Sequence, residues 1–234
     1  MARKNKKERT YTKIALNDPK SNTAEAFRTL RTNIQFANID KNIKSIVMTS
    51  SNPDEGKSTV LVNLAITMAH ADQKVLLIDA DLRKPSIHKY FEVVESNGLT
   101  NILMDNGEEG NRIQMIPEVP GLHVITSGPI PPNPSELLSS EQMKKFIGKM
   151  KEKYDFVLID SPPVGVVTDA AILSTIVEGT LLVCRQGDTL IESVQFAKEK
   201  LEKVNANILG VVLNGVKRTG KKYDYYYYNY SEEA

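Results

Sequence analysis

The sequence predicts an α/β fold, a doubly wound and mostly parallel sheet with helices on both faces. Three observations predict it. Apolar runs at residues 45–49, 75–79, 122–126, 156–160, 180–184 and 208–213 read as continuous valine, isoleucine and leucine without polar alternation, as strands buried on both faces do. Helical segments at 58–69, 140–153 and 192–204 lie between them, and strands alternating with helices imply a parallel sheet. The first run leads straight into a glycine–lysine loop and then an apolar helix, the setting of a phosphate-binding loop.

A chain of 234 residues, 41% of them hydrophobic, can bury one large α/β core. A net charge of +1 argues against a dedicated nucleic-acid binder, which is usually strongly basic. The one cysteine, Cys184, cannot form an internal disulfide or a thiolate metal cage, and it is expected to be a small buried strand residue. The histidines at 70, 88 and 123 fall in unrelated segments and suggest no ligand set. No apolar stretch approaches the roughly 20 residues of a transmembrane helix. The expected location is the cytoplasm, with any membrane association supplied by a partner or by surface charge.

Residues 1–20 are polar and basic and are expected to be flexible. Their cations Arg3, Lys4, Lys6, Lys7 and Arg9 suit a solvated tail or contact with anionic lipid, at about 1 kcal/mol per residue near the surface. Residues 21–37 predict a helix capped by Ser21 or Thr23, with Phe27, Leu30, Ile34 and Ala37 on its apolar face and Glu25, Arg28 and Arg31 on a polar face. The proline-rich stretch 128–140 predicts a loop leading into a short helix at 135–138. One domain therefore spans 21–216, and residues 217–234, without apolar periodicity, read as a disordered tail.

The loop of residues 51–59, SNPDEGKST, carries the first chemistry. Backbone N–H groups of Ser51, Asn52, Asp54, Glu55 and the helix start, with Pro53 shaping the turn between them, define a cradle for phosphate. Gly56 admits close backbone approach. Lys57 supplies a charge for the β- and γ-phosphates, Ser58 a hydroxyl for Mg²⁺, and Thr59 stands beside them. Ser51 replaces the usual first glycine of this motif. Asp54 and Glu55 are unexpected beside an anion, so their side chains are expected to point away. Asp79 and Asp81 follow the second strand and Asp160 ends the fourth run. Ligands bind at the carboxyl ends of such strands, so the three carboxylates are expected to converge on the loop, one holding Mg²⁺ through water and another serving as a base. Arg83 and Lys84 suit contact with phosphate or with an assembly partner.

Together, SSNPDEGKST, VLLIDADLRKP and FVLIDSPP resemble the bacterial tyrosine kinases of capsular and exopolysaccharide synthesis, over nearly the whole chain. The resemblance places the fold in the partitioning-ATPase-like branch of P-loop NTPases. It implies ATP and Mg²⁺ as cofactors, with Lys57, Asp79, Asp81 and Asp160 catalytic, Asp79 the candidate base, and Ser58, Asp81 and Asp160 around the metal. It implies ATP contacts over residues 51–59 and at Asn214, the position where related ATPases contact adenine. Glu25, Arg28 and Arg31 match the family's E-x-x-R-x-x-R pattern of ring-like self-assembly. The implied partners are a membrane-embedded activator of the chain-length-determinant kind, protein tyrosine substrates and an opposing tyrosine phosphatase, with no nucleic acid. The form implied is the Gram-positive one, in which kinase and activator are separate chains.

Tyrosines 223, 225, 226, 227, 228 and 230 crowd the end of the chain, as Tyr223, Tyr225, Tyr226, Tyr227, Tyr228 and Tyr230 among lysines and acids too polar for a core. They are expected to be phosphorylated by neighbouring subunits. Each phosphotyrosine adds about −1.5 to −2 charges, so full modification adds roughly −9 to −12 and is expected to open the assembly. The alternative reading is a partitioning or division-site ATPase without kinase activity. Those proteins carry a second lysine five residues before the main one, where this chain has Asn52. An iron–sulfur carrier of the same superfamily would need paired cysteines.

Overall fold

In the computed structural model, which describes residues 11–38, 42–105 and 109–216, the apolar runs pair into one sheet. Its strands are β1 (Ser45–Ser50), β2 (Val75–Asp79), β3 (Gln114–Met115), β4 (Leu122–Ile125), β5 (Phe156–Asp160), β6 (Gly179–Arg185) and β7 (Ile208–Asn214). They lie in the order β3-β4-β2-β5-β1-β6-β7. All pairings are parallel except that of β3 with β4.

Burial on both faces explains the lack of alternation in sequence. Along β1, Ile46 and Met48 enter a core with α1 (Ile14–Asn17), α2 (Asn22–Ala37) and α3 (Lys57–Ala69). Val47, between them, enters the opposite core with α5 (Leu99–Met104) and α7 (Glu141–Lys153). The remaining helices are α4 (Ile87–Phe91), α6 (Pro134–Leu138), α8 (Asp169–Ser174) and α9 (Ile191–Glu202). Ser21 caps α2 by accepting from Ala24 N at 3.1 Å, and Ser140 caps α7 by accepting from Met143 N at 3.2 Å. Such caps satisfy N–H groups that a helix start leaves without partners. Cys184 is buried in β6, as expected.

Three expectations are corrected. Residues 11–20 are not a loose segment: α1 packs on α3, Asn63 Nδ2 donates to Thr12 O at 3.0 Å, and Asn63 Oδ1 accepts from Ala15 N at 2.8 Å. Buried Asn63 needs those partners, and the segment supplies them. The last strand is not covered on both faces. β7 is the sheet edge, and its Val211 and Leu213 each stay 55% exposed, because they pair with Leu182 and Cys184 beyond the reach of α9, which packs over Leu182. The two-residue β3 was not predicted, being too short for any periodicity to register. The tail with Tyr223, Tyr225, Tyr226, Tyr227, Tyr228 and Tyr230 lies outside the described residues, as do Arg3, Lys4, Lys6, Lys7 and Arg9. Among the described residues no helix is long and apolar enough to cross a membrane.

Candidate active site

The sheet order puts β2, β5 and β1 side by side, so the three motifs that follow these strands meet at one edge. Register brings them closer still, pairing Asp79 with Asp160 and Met48 with Asp160. Four hydrogen-bonding side chains form the centre. Lys57 Nζ lies 3.0 Å from Asp81 Oδ2 and 3.3 Å from Asp160 Oδ1. Ser58 Oγ donates to Asp160 Oδ2 at 2.5 Å and stands 3.3 Å from Lys57 Nζ. Burial alone would discharge Lys57, but Asp160 and Asp81 outweigh it and hold the ammonium firmly charged.

Asp79 is fully buried. Its Oδ2 accepts from Ser86 N and Ile87 N, each at 2.9 Å, and its Oδ1 from Asp81 N at 3.2 Å. Burial, and then the charge of Asp160, push its carboxyl up to about 7, against those backbone donors. Burial likewise raises Asp160, while Lys57 and Ser58 oppose the rise. Three acidic side chains stand beside one lysine in this buried site, an arrangement that a bound cation would relieve. Among the described residues no three acidic, histidine or cysteine groups form a ready-made metal cage. Mg²⁺ takes one or two protein oxygens plus waters and substrate phosphates, and needs no such cage. Ser58 and Asp160, already in contact, with Asp81 across Lys57, fit such a site.

The loop itself differs from expectation at Glu55. Its side chain is buried, 3% exposed, and not solvated. Its Oε2 accepts from Asn52 N at 3.0 Å and its Oε1 from Asn52 Nδ2 at 3.3 Å and Thr189 Oγ1 at 2.5 Å. Asp54 takes φ 66° at the exposed tip. Gly56 has φ 91°, and a Cβ there would stand 2.1 Å from Asn214 Nδ2. The left-handed φ is what demands glycine there, and a Cβ would also displace the Asn214 amide. Asn214 Nδ2 donates to Glu55 O at 2.9 Å, which places the candidate adenine contact against the loop. Ser51 is buried, and its Oγ has no partner. Pro53 lies in the turn between Asn52 and Asp54. Thr59 Oγ1 shares a 2.6 Å hydrogen bond with Tyr90, whose hydroxyl burial pushes up to about 12.

Two cationic assignments change. Arg83 is already engaged within the chain. Its Nε and Nη2 bind Asp169 Oδ2 and Oδ1 at 2.8 and 3.0 Å, and Nη2 also reaches Ser135 Oγ at 2.9 Å. This pins the segment after Asp81 to the proline-rich loop. On α2, Glu25 pairs with Arg28 at 2.6 Å. Arg31 leaves the polar face and donates to Thr67 O at 3.0 Å, near the C-terminal end of α3. The residues that sequence reasoning missed are Thr189, Tyr90 and Asp169. None has a local signal, because each matters through a partner 31 or more positions away.

Comparison with known proteins agrees with this geometry. A family model described as ParA, NUBPL iron-transfer P-loop NTPase, matches residues 42–232. The chain is 45% identical to the tyrosine-protein kinase YwqD of Bacillus subtilis, over 92% of this chain and 90% of that one. It is 38% identical to the putative tyrosine-protein kinase CapB of Staphylococcus aureus, over 97% and 99%. The crystal structure of the chimerical protein CapA2B2 superposes with a TM-score of 0.85 at 38% identity, covering 90% of this chain and 92% of that one.

Proposed function

The chain belongs to the bacterial tyrosine-protein kinases, and from that premise we propose that it transfers the γ-phosphoryl group of ATP to tyrosines of its own C-terminal cluster. The observation that carries this reading is the placement of Lys57 between Asp81 and Asp160, with Ser58 on Asp160. Lys57 is held charged where the β- and γ-phosphates enter. There it would offset the charge of the incoming phosphates. Asp81, Asp160 and Ser58 would hold Mg²⁺, which would neutralise charge on the phosphates.

The chemistry asked of the protein is positioning and one proton transfer. The tyrosine oxygen bonds to the γ-phosphorus, the bond from that phosphorus to the β–γ bridging oxygen breaks, and ADP leaves. The tyrosine proton passes to Asp79, whose raised proton affinity suits a base at neutral pH. The loop of residues 51–59 and Asn214 hold the nucleotide.

The tail reaches the site of a neighbouring subunit in a ring-like homo-oligomer, to which Glu25, Arg28 and Arg31 contribute. Arg31 does so by holding α2 on α3. The partner class is a membrane-embedded activator, a reading supported by the likeness to the CapA2B2 chimera. That partner brings the kinase to the inner face of the membrane, where it regulates capsular or exopolysaccharide synthesis, and a tyrosine phosphatase opposes it. A mixing experiment tests transfer between subunits. Lys57→Met protein with its tail intact is incubated with active protein whose tail tyrosines are phenylalanine. Phosphotyrosine on the Lys57→Met chain supports the reading, and none confines transfer to one chain. Free phosphate without phosphotyrosine would instead favour the partitioning-type ATPase.

A further inference from the structure

Glu55 is an anomaly on physical grounds. A buried carboxylate costs desolvation, and one beside Gly56 opposes the approach of phosphate. Its donors, Asn52 N, Asn52 Nδ2 and Thr189 Oγ1, are neutral. Yet these contacts link two distant parts of the fold. Asn52 opens the loop after β1, and Ser50 Oγ donates to its carbonyl at 2.8 Å. Thr189 lies in the turn after β6, where its Oγ1 also accepts from Arg185 N at 2.8 Å. The Glu55 carbonyl receives Asn214 at the end of β7. One residue therefore fastens the phosphate loop to β1, β6 and β7.

We infer that Glu55 is a positioning residue for nucleotide: its carboxylate holds the loop in its phosphate-receiving shape before ATP arrives, with Thr189 as its anchor. A loop already shaped loses less conformational entropy when the ligand binds, which offsets the repulsion between carboxylate and phosphate. The hydroxyl donates to a charged acceptor, so this bond is stronger than a neutral one. The inference rests on the proposed function only for the identity of the ligand as Mg-ATP. It assigns Glu55 no part in the phosphoryl transfer itself.

The test is calorimetric titration with Mg-ATP, alongside thermal melting and steady-state kinetics, for Glu55→Ala, Glu55→Gln, Thr189→Val and the double variant Glu55→Ala/Thr189→Val. Losing a charge-assisted bond and leaving its donors unpaired predicts an ATP dissociation constant about tenfold weaker for Glu55→Ala. Glu55→Gln, which keeps one acceptor oxygen, should fall between the two. Thr189→Val should weaken binding a few-fold, and the double variant no further than Glu55→Ala alone. In Thr189→Val the rate at saturating ATP should be retained, so that KM moves and kcat does not. Thr189→Val alters a surface turn and keeps the test open should Glu55→Ala fold poorly. Unchanged ATP affinity in Glu55→Ala or Thr189→Val, multiplicative losses in the double variant, or a fall in kcat with KM unmoved would each overturn the inference. Wild-type protein that binds Mg-ATP but forms no phosphotyrosine would sink the kinase reading and leave this inference standing.

Discussion

The two flanks of the phosphate loop are built from opposite materials. Toward β2 and β5 it meets charge, with Lys57 between Asp81 and Asp160 and Asp79 behind them. Toward β6 and β7 it meets neutral hydrogen-bonding groups, Thr189 and Asn214, gathered on Glu55. On the proposed reading, the first flank stabilises a moving phosphoryl group and takes a proton. The second holds the loop's shape and, through Asn214, meets the nucleotide on the same reading. Removing charge should therefore cost turnover, and loosening the clasp should cost affinity.

The largest expected effect is at Lys57. Lys57→Met removes the cation that neutralises the transferring group and should lower kcat by about 10³-fold or more, by analogy with losses of transition-state charge stabilisation, read as phosphotyrosine formed per minute. Asp160→Asn should follow, by about 10²-fold or more, with the loss growing at low magnesium because Asp160 and Ser58 share the proposed metal site. Equal losses in the Glu55 variants at saturating ATP would erase the contrast between the flanks.

Asp79 sharpens the comparison through pH. Its carboxyl is raised to about 7 from 3.8, so the base form accumulates as pH rises through about 7. The phosphorylation rate should climb through that range and level off above it. For stability the sign is opposite. The folded state keeps a proton that the unfolded state releases from 3.8 upward, so this group's contribution is complete below 3.8 and is lost as pH rises through about 7. A pH series of initial rates and of denaturant midpoints reads both.

Away from the flanks, Asp169→Asn should act on stability. Asp169 is fully buried and holds Arg83 through two bonds. Breaking the pair should cost about 2–3 kcal/mol, toward the low end for buried pairs because Arg83 is partly exposed, measured as a denaturant midpoint shift. Asn214→Ala is the smallest effect, a few-fold in ATP affinity, since one neutral hydrogen bond contributes about 1 kcal/mol.

The charged flank was legible in sequence and the clasp was not. Lys57, Ser58, Asp79, Asp81 and Asp160 stand at fixed offsets from apolar runs, and parallel pairing carries all such strand ends to one edge. Strand and helix positions were legible for the same reason, within one or two residues at most ends. Glu55 read as an anomaly because its partner Thr189 lies 134 positions away, in a turn with no periodicity. Arg83 pointed to phosphate or an assembly partner, and Arg31 to self-assembly, because sequence shows the charge but not the buried carboxylate or the carbonyl that it meets. β7 resembled a central strand because residue types do not reveal which strand ends the sheet.

The central claim is that the charged flank directs phosphate to tyrosine. The most direct test is to incubate purified protein with labelled Mg-ATP, alone and with an activator, and to follow phosphotyrosine and free phosphate together. The account predicts label on tyrosines 223–230 in the wild type, none in Lys57→Met, and retained transfer at saturating ATP in Thr189→Val. Free phosphate released by the wild type with no phosphotyrosine under either condition would contradict it.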